Sequence, residues 1–238
     1  MGCRFIVSRA ITWVLNPCEI PDAMYYTTST FQLAGTTVHT VTFDPATFTE
    51  DDLLWLPHHT QLANAGRKRK TEHLAGRIAA VSALSSRGMS TVPGVGENGE
   101  PLWPTGLNGS ISHSGHIAMA IVSENSLVGI DYEAILDEKE AFDIKEGIIN
   151  DVESSLLLNS GLPFPLALTL AFSAKESLFK ALFPRVKAYM GFETARVSAI
   201  TDHSLQLTLC QPLAEFKEEH AFTLFWRHFN HAVVTLIN

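Results

Sequence analysis

Apolar residues recur with two different periods along this chain, and the change of period separates helical from extended segments. Residues 51–88 are predicted to be mostly helical, because Leu74, Ile78 and Val81 recur at helical spacing. Residues 137–160 and 166–183 show a similar pattern, and we expect the second of these helices to end at Pro184. The Gly/Pro-rich stretch 92–110 predicts a loop.

Alternation with period two predicts strands in the second half of the chain. Residues 117–122 and 127–133 flank the turn-prone sequence SENS, which predicts a β-hairpin. Later segments predict short strands in a meander: ARVSAI, LQLTLC, FTLFWRHF and AVVTLIN. Helices and antiparallel strands in this order favour an α+β fold over a doubly wound sheet.

The segment FSAKESLFKALFP, residues 172–184, carries charges where a helix should be apolar. At roughly 100° per residue, Lys175 falls inside the arc of phenylalanine and leucine side chains, Glu176 on its shoulder and Lys180 beside it. Burying an unpaired charge costs several kcal/mol. We therefore expect Lys175 and Glu176 to have partners from elsewhere in the chain.

The strand LVGIDYE should place Asp131 and Glu133 together on one face, with Val128, Ile130 and Tyr132 on the other. Neighbouring carboxylates repel each other, and each tends to hold a proton unless a cation lies between them. Oxygen ligands of this kind suit Mg²⁺. The alternative is a solvated outer face at the end of a hairpin.

The predicted helix over residues 166–183 can supply a third carboxylate and a positive charge next to Asp131 and Glu133. Glu176 can act as a third carboxylate, and Lys180, one turn later, would lie beside an anion bound by the metal. Acids and lysines grouped in this way are typical of metal-assisted phosphoryl chemistry. A simple surface ion pair between Glu176 and Lys180 is the alternative.

Two further segments could bind an anion. GSISHSG offers Ser112, His113 and Ser114 in a glycine-flanked turn, where hydroxyls, an imidazole and backbone N–H groups can hold a phosphate. The basic run GRKRK, residues 66–70, followed by Arg77, could bind an anionic ligand. An exposed histidine and a solvated helix start are the respective alternatives.

Two other functions, a Ser-His hydrolase and a dinucleotide-binding protein, have little support in the sequence. A Ser-His hydrolase lacks support because no G-x-S-x-G is present. GVGENG, residues 94–99, matches G-x-G-x-x-G, but Pro93 and Pro101 flank it. A dinucleotide site needs a strand before this motif and a helix after it.

Composition narrows the function classes. The 238 residues are 46% hydrophobic, which indicates one large domain or two small ones, and the net charge of −8 argues against a general nucleic-acid binder. Cys3, Cys18 and Cys210 share no disulfide or metal spacing. No apolar run approaches the roughly 20 residues of a transmembrane segment, and no signal peptide is convincing. We expect a cytoplasmic protein.

SISHSG, VGIDYE and FSAKESLFKAL, in this order, resemble the phosphopantetheinyl transferases of the surfactin-synthetase type. RKRKTEHLAGRIAA, PLWP and LALTLAFSAKES are similar to the subgroup serving enterobactin-like siderophore synthetases. The resemblance covers residues 66–183. It implies an enzyme that transfers 4′-phosphopantetheine from coenzyme A to a serine of a peptidyl or aryl carrier domain in nonribosomal peptide synthesis, releasing 3′,5′-ADP.

The resemblance also implies roles for individual residues. Metal binding, to Mg²⁺ or alternatively Mn²⁺, falls to Asp131, Glu133 and Glu176. Contacts with coenzyme A fall to Arg69, Arg77, Ser112, His113 and Lys180, with the two arginines at the adenosine 3′-phosphate. Beyond the resemblance, we expect Glu176, Lys180 and Lys175 to act in catalysis: the glutamate accepts the serine proton, directly or through a metal-bound water, and the lysines offset charge on the leaving phosphate.

The implied fold consists of two similar α+β halves, packed as a pseudo-dimer with the coenzyme between them. Residues 1–124 would contain the basic coenzyme-binding segment, and residues 125–238 the metal-binding acids and the catalytic helix. We expect a monomer, acting alone or within a synthetase assembly, with no nucleic-acid partner. A Mg²⁺-dependent nuclease and a non-catalytic binding module for coenzyme A or a carrier protein remain as alternatives.

Overall fold

The computed structural model describes residues 24–125 and 127–238. Cys3, Cys18 and the N-terminal segment considered for targeting signals lie outside these residues. The described chain forms two larger antiparallel sheets, each covered by helices. None of the helices described is both long and apolar enough to cross a membrane.

The first sheet and its helix come from the residues before 124. The elements are β1 (Tyr26–Leu33), β2 (Thr36–Phe43), α1 (Arg67–Ser85), β3 (Gly94–Val95), β4 (Pro101–Leu102), β5 (Asn108–Ser114) and β6 (Ile117–Ser123), with short 3₁₀ turns between β2 and α1. The sheet order is β1-β2-β6-β5, while β3 and β4 form a separate small hairpin. The buried face of α1 packs on this sheet through Leu74, Ile78 and Leu84.

The second sheet follows from residue 129. The elements are β7 (Gly129–Ala134), α2 (Glu138–Ile144), α3 (Asp151–Leu158), α4 (Phe164–Val186), β8 (Ala195–Ile200), β9 (Ser204–Leu209), β10 (Ala221–Phe229) and β11 (Ala232–Ile237). The sheet order is β7-β11-β10-β9-β8. Leu168 and Leu178 of α4 are fully buried in its core, together with Leu207 and Val233 from the strands.

The α+β class is confirmed, as are the four C-terminal strands. The hairpin predicted between 117–122 and 127–133 is wrong: β6 pairs with β2 and β5, and β7 pairs with β11 in the other sheet. The physical reason is that β6 is an inner strand with partners on both sides, so no edge is free for β7. The predicted end of the helix at Pro184 is also wrong, since α4 continues through Pro184 to Val186.

The edges of the two sheets meet between β5 and β7. The backbone N–H groups of Ile130 and Tyr132 donate to the side-chain oxygens of Ser110 and Ser112, both at 3.1 Å. Edge strands otherwise present unpaired backbone groups. Alternate serines on one face of β5 therefore satisfy the edge of β7, and we call this contact the β5–β7 seam.

Candidate active site

Asp131 lies at the seam with 2% of its surface exposed. Its Oδ1 accepts hydrogen bonds from the Lys180 ammonium at 2.7 Å and from the Ser112 hydroxyl at 3.0 Å. Its Oδ2 is buried and has no hydrogen-bond partner. An unsatisfied buried carboxylate oxygen is costly, so this atom marks a place where a cation or a donor could bind.

Gly129 explains how Asp131 and Lys180 come so close. A Cβ added to Gly129 would overlap the carbonyl oxygen of Ser177 on α4, so only glycine allows β7 to approach the helix at this position. Two residues further along the same face of β7, Asp131 reaches Lys180. The opposite face, with Ile130 and its neighbours, is buried in an apolar cluster, as the period-two pattern predicted.

Glu133 and Glu176 are half-buried acids next to this pair. Burial raises the pKa of Glu133 to about 7; the charges of Asp131 and Glu176 add to this shift, and Lys180 opposes it. Burial also raises the pKa of Glu176, where Lys180 opposes and Asp131 adds to the shift. The three carboxylates therefore act on one another. As these side chains stand, no three acidic, histidine or cysteine groups within residues 24–125 and 127–238 enclose a metal position.

Lys180 joins the helix to the strand. Its ammonium also donates to the Ile130 carbonyl at 3.1 Å, and 26% of the side chain is exposed. The charge is thus held against β7 while part of the side chain faces solvent. A bound anion could share this ammonium with Asp131.

The sequence suggested that Ser112 and His113 lie in a turn, but the structure places both within β5. The turn is confined to the residues after Ser114, where Gly115 has a φ of +59°. Ser112 donates to Asp131 and accepts from the Tyr132 N–H, so in this structure it orients the acid. Its contact with a coenzyme phosphate stays a prediction.

His113 points to the other side of β5, towards α1. Its Nδ1 lies 3.6 Å from Oε2 of Glu72, a buried acid that the sequence reasoning missed. Burial lowers the pKa of His113; Glu72 opposes this shift, and Arg69 and Lys180 add to it. Alternation along β5 sends Ser112 to one side of the strand and His113 to the other. This pattern was the available signal that His113 needs a partner different from that of Ser112.

The basic segment divides between solvent and core. Arg69 is exposed and lies within electrostatic reach of His73, Arg77 and His113. Arg77 is 4% exposed, and its Nε and Nη2 donate to the carbonyls of Pro93 and Gly94, both at 3.0 Å. Burial and then Arg69 lower the pKa of Arg77 to about 10. Arg69 is therefore available to a ligand, whereas Arg77 holds a loop.

Lys175 has the expected partner from elsewhere in the chain, but this partner is not one of the three acids Asp131, Glu133 and Glu176. Its ammonium lies 2.8 Å from Oε1 of Glu153 and donates to the carbonyls of Ile148 and Phe192 at 2.8 and 3.0 Å. Glu153 is 2% exposed. It belongs to a capping box with Asn150 at the start of α3, which the sequence NDVE could have indicated. The structure therefore does not bring Lys175 together with Asp131, Glu133 and Glu176.

Comparisons with known proteins match both parts of the chain. Residues 58–123 match the 4′-phosphopantetheinyl transferase N-terminal domain, and residues 127–234 match the 4′-phosphopantetheinyl transferase superfamily. Enterobactin synthase component D of Salmonella typhimurium is 48% identical over 213 residues, covering 89% of this chain and 90% of that protein. The Escherichia coli K12 protein of the same name is 46% identical, covering 90% and 98%. The 4′-phosphopantetheinyl transferase PptT of Mycobacterium tuberculosis is 33% identical over 157 residues, covering 62% and 66%.

Proposed function

Because this chain belongs to the 4′-phosphopantetheinyl transferase superfamily, we propose that the cluster between β7 and α4 carries its reaction. The chain is an enzyme that transfers the 4′-phosphopantetheine arm of coenzyme A to a carrier protein. The observation that supports this placement is Asp131: a buried acid with one unpaired oxygen, two acidic neighbours and a lysine contact.

The donor chemistry of these acids suits a hard divalent cation, although the three carboxylates do not enclose a metal position as their side chains stand in the described residues. Oxygen donors are the ligands that Mg²⁺ prefers, and Asp131 Oδ2 is unsatisfied. Burial raises the pKa of Glu133 to about 7 and also raises the pKa of Glu176, and Asp131 adds to both shifts, so a cation here would stabilise the charged carboxylates. We assign Mg²⁺ to Asp131, Glu133 and Glu176, with Mn²⁺ as an alternative. When bound, such an ion neutralises charge on the pyrophosphate.

Glu176 is the proposed proton acceptor. In the reaction, a bond forms between the carrier serine oxygen and the β-phosphorus of coenzyme A, and the bond from that phosphorus to the bridging oxygen breaks, releasing 3′,5′-ADP. The serine proton passes to the Glu176 carboxylate, directly or through a water molecule. The ammonium of Lys180 stabilises negative charge on the leaving phosphate.

The remaining coenzyme contacts are assigned to the surface between α1 and β5. Exposed Arg69 would hold the adenosine 3′-phosphate, with the buried charge of Arg77 behind it. His113 would contact a coenzyme phosphate, while Ser112 keeps Asp131 in place. Under this proposal the coenzyme lies between the halves 1–124 and 125–238.

The carrier is proposed from the names of the relatives. Since the Salmonella and Escherichia proteins are called enterobactin synthase component D, we propose a peptidyl or aryl carrier domain of a siderophore-forming nonribosomal synthetase. The monomeric state and the cytoplasmic location stay predictions of the sequence.

The test is intact-mass spectrometry of an apo carrier domain after incubation with coenzyme A and Mg²⁺. We expect a gain of one phosphopantetheine arm that EDTA prevents. Glu176→Gln should lower the transfer rate at least about 100-fold with little change in coenzyme affinity. The matched control Glu218→Gln, at an exposed position, should behave like the wild type. Rapid transfer by Glu176→Gln would refute the base assignment; coenzyme binding without transfer by the wild type would favour a binding module.

A further inference from the structure

Glu72 is an acid in the middle of a basic surface. It lies on α1 with 9% of its surface exposed, beside Arg69 and one helical turn after Lys68. Its Oε1 is 3.8 Å from the Lys68 ammonium, and its Oε2 is 3.6 Å from His113 Nδ1. A carboxylate here should repel the phosphates assigned to this surface, so its position requires an explanation.

The contact between Glu72 and His113 is fixed by the packing of α1 on β5. A Cβ added to Gly76 would come within 2.9 Å of Ile111 Cγ2, so helix and strand touch closely at that point. From Gly76 to Glu72 the helix advances about 6 Å, and from Ile111 to His113 the strand advances about 6.6 Å. The side chains of Glu72 and His113 therefore meet one helical turn along α1, and two residues along β5, from the Gly76–Ile111 contact.

We propose that Glu72 is a positioning residue for His113. Its carboxylate lies against Nδ1 of the imidazole and favours a proton there, so that Nε2, on the far side of the ring, can donate to a coenzyme phosphate when the phosphate adds its own negative charge. This inference rests on the proposed function, because it takes His113 as a phosphate contact.

A partner at Nδ1 decides what Nε2 can do. A neutral histidine carries one N–H; if Nδ1–H points to Glu72, Nε2 is an acceptor and cannot bond a phosphate oxygen. Only the imidazolium donates from both nitrogens. Burial lowers the pKa of His113 below its ordinary value, and Arg69 and Lys180 add to this shift, whereas Glu72 and a backbone hydrogen bond oppose it. His73 on α1 is close enough to interact electrostatically with this ring. Its pKa is about 3, so it is neutral near pH 7 and adds no positive charge. Glu72 is therefore the acid that opposes neutralisation of the ring.

The experiment measures coenzyme A affinity in two ways: KM in the transfer assay, and Kd by calorimetry without carrier. Glu72→Gln should raise both about tenfold near pH 7.5, as expected for the loss of one charge-assisted hydrogen bond, while kcat changes less than about twofold. The rise of Kd with pH should also begin at lower pH in Glu72→Gln. Glu218→Gln, which changes the net charge equally, should leave both constants unaltered.

A double-mutant cycle separates positioning from a general structural effect. In a His113→Ala background, Glu72→Gln should not weaken coenzyme binding further. An equal tenfold loss in that background, or tighter binding by Glu72→Gln because repulsion is relieved, would overturn the proposal. If Glu72→Gln does not fold, Glu72→Asp keeps the charge but withdraws it from Nδ1 by one methylene, and a smaller rise of Kd in the same direction is then expected. Because Kd needs no turnover, absent transfer by the wild type would refute the proposed function without deciding the role of Glu72.

Discussion

Replacing Lys175 by methionine should destabilise the second half of the protein rather than stop its chemistry. The lysine side chain is 4% exposed, and its ammonium is shared by the Glu153 carboxylate and two backbone carbonyls. Methionine fills a similar volume but provides no donor. Glu153 would then remain 2% exposed and without its counter-charge.

The magnitude follows from what stays buried. Removing one partner of a buried ion pair costs about 3 to 5 kcal/mol, because the other charge is left uncompensated. Glu153 would still accept from the N–H groups of Val197 at 2.7 Å and Asn150 at 3.0 Å, so we expect the lower part of this range. For a protein of this size, a loss of about 3 kcal/mol corresponds to a fall in Tm of roughly 6 to 12 °C. Adding Glu153→Gln to Lys175→Met should restore about 2 kcal/mol of the free energy of unfolding, because it removes the uncompensated charge.

Urea unfolding of the two variants and the wild type gives these free energies, and intact-mass kinetics on folded protein give kcat. We expect Lys175→Met to have a lower urea midpoint and a kcat within about threefold of the wild type. An unchanged midpoint with a kcat reduced about 100-fold or more would refute the reasoning. It would restore the catalytic role that the sequence predicted for Lys175.

Two further predictions concern packing and pH. Gly129→Ala should cost at least about 2 kcal/mol and abolish transfer, because β7 must move away from Ser177; Gly147→Ala, whose added Cβ meets nothing within 4 Å, is the matched control in urea unfolding. Burial, then Arg77 and neighbouring histidines, lowers the pKa of His73 from 6.5 to about 3. Between these values the unfolded chain binds a proton that the folded chain does not, so stability should fall by up to about 1.4 kcal/mol per pH unit as pH drops from 6.5 towards 3. Urea midpoints at pH 7.5 and 5.0 should show a smaller loss for His73→Gln, and an equal loss in both proteins would contradict this assignment.

The sequence could predict the parts of the site that lie on one element. Alternation along β7 correctly separated Asp131 from Ile130, because a strand buried on one side fixes which side chains face which way. The helical wheel correctly marked Lys175 as buried and in need of a partner. It could not identify the partner, since Glu153 lies 22 residues earlier in sequence on another helix and nothing local distinguishes it from other capping acids.

The arrangement of strands was beyond local patterns. Two apolar strands joined by a short polar segment look like a hairpin whether or not they pair, and only the positions of β2 and β11 decide the matter. The strand nature of β5 was hidden for a related reason: its serines and glycines are typical of turns. The serines are used instead to accept hydrogen bonds from the neighbouring sheet edge.

The β5–β7 seam and the candidate site depend on the same side chain. Ser112 accepts from the Tyr132 N–H and, through its own proton, donates to Asp131. A shift of β5 by one residue would replace this hydroxyl by Ile111 or His113, leaving the edge of β7 unsatisfied and Asp131 without one of its two donors. The same shift would also move His113 away from Glu72. The register that joins the two sheets is therefore also the register that assembles the acids, the lysine and the histidine, so a separated half of the chain should not hold this site by itself.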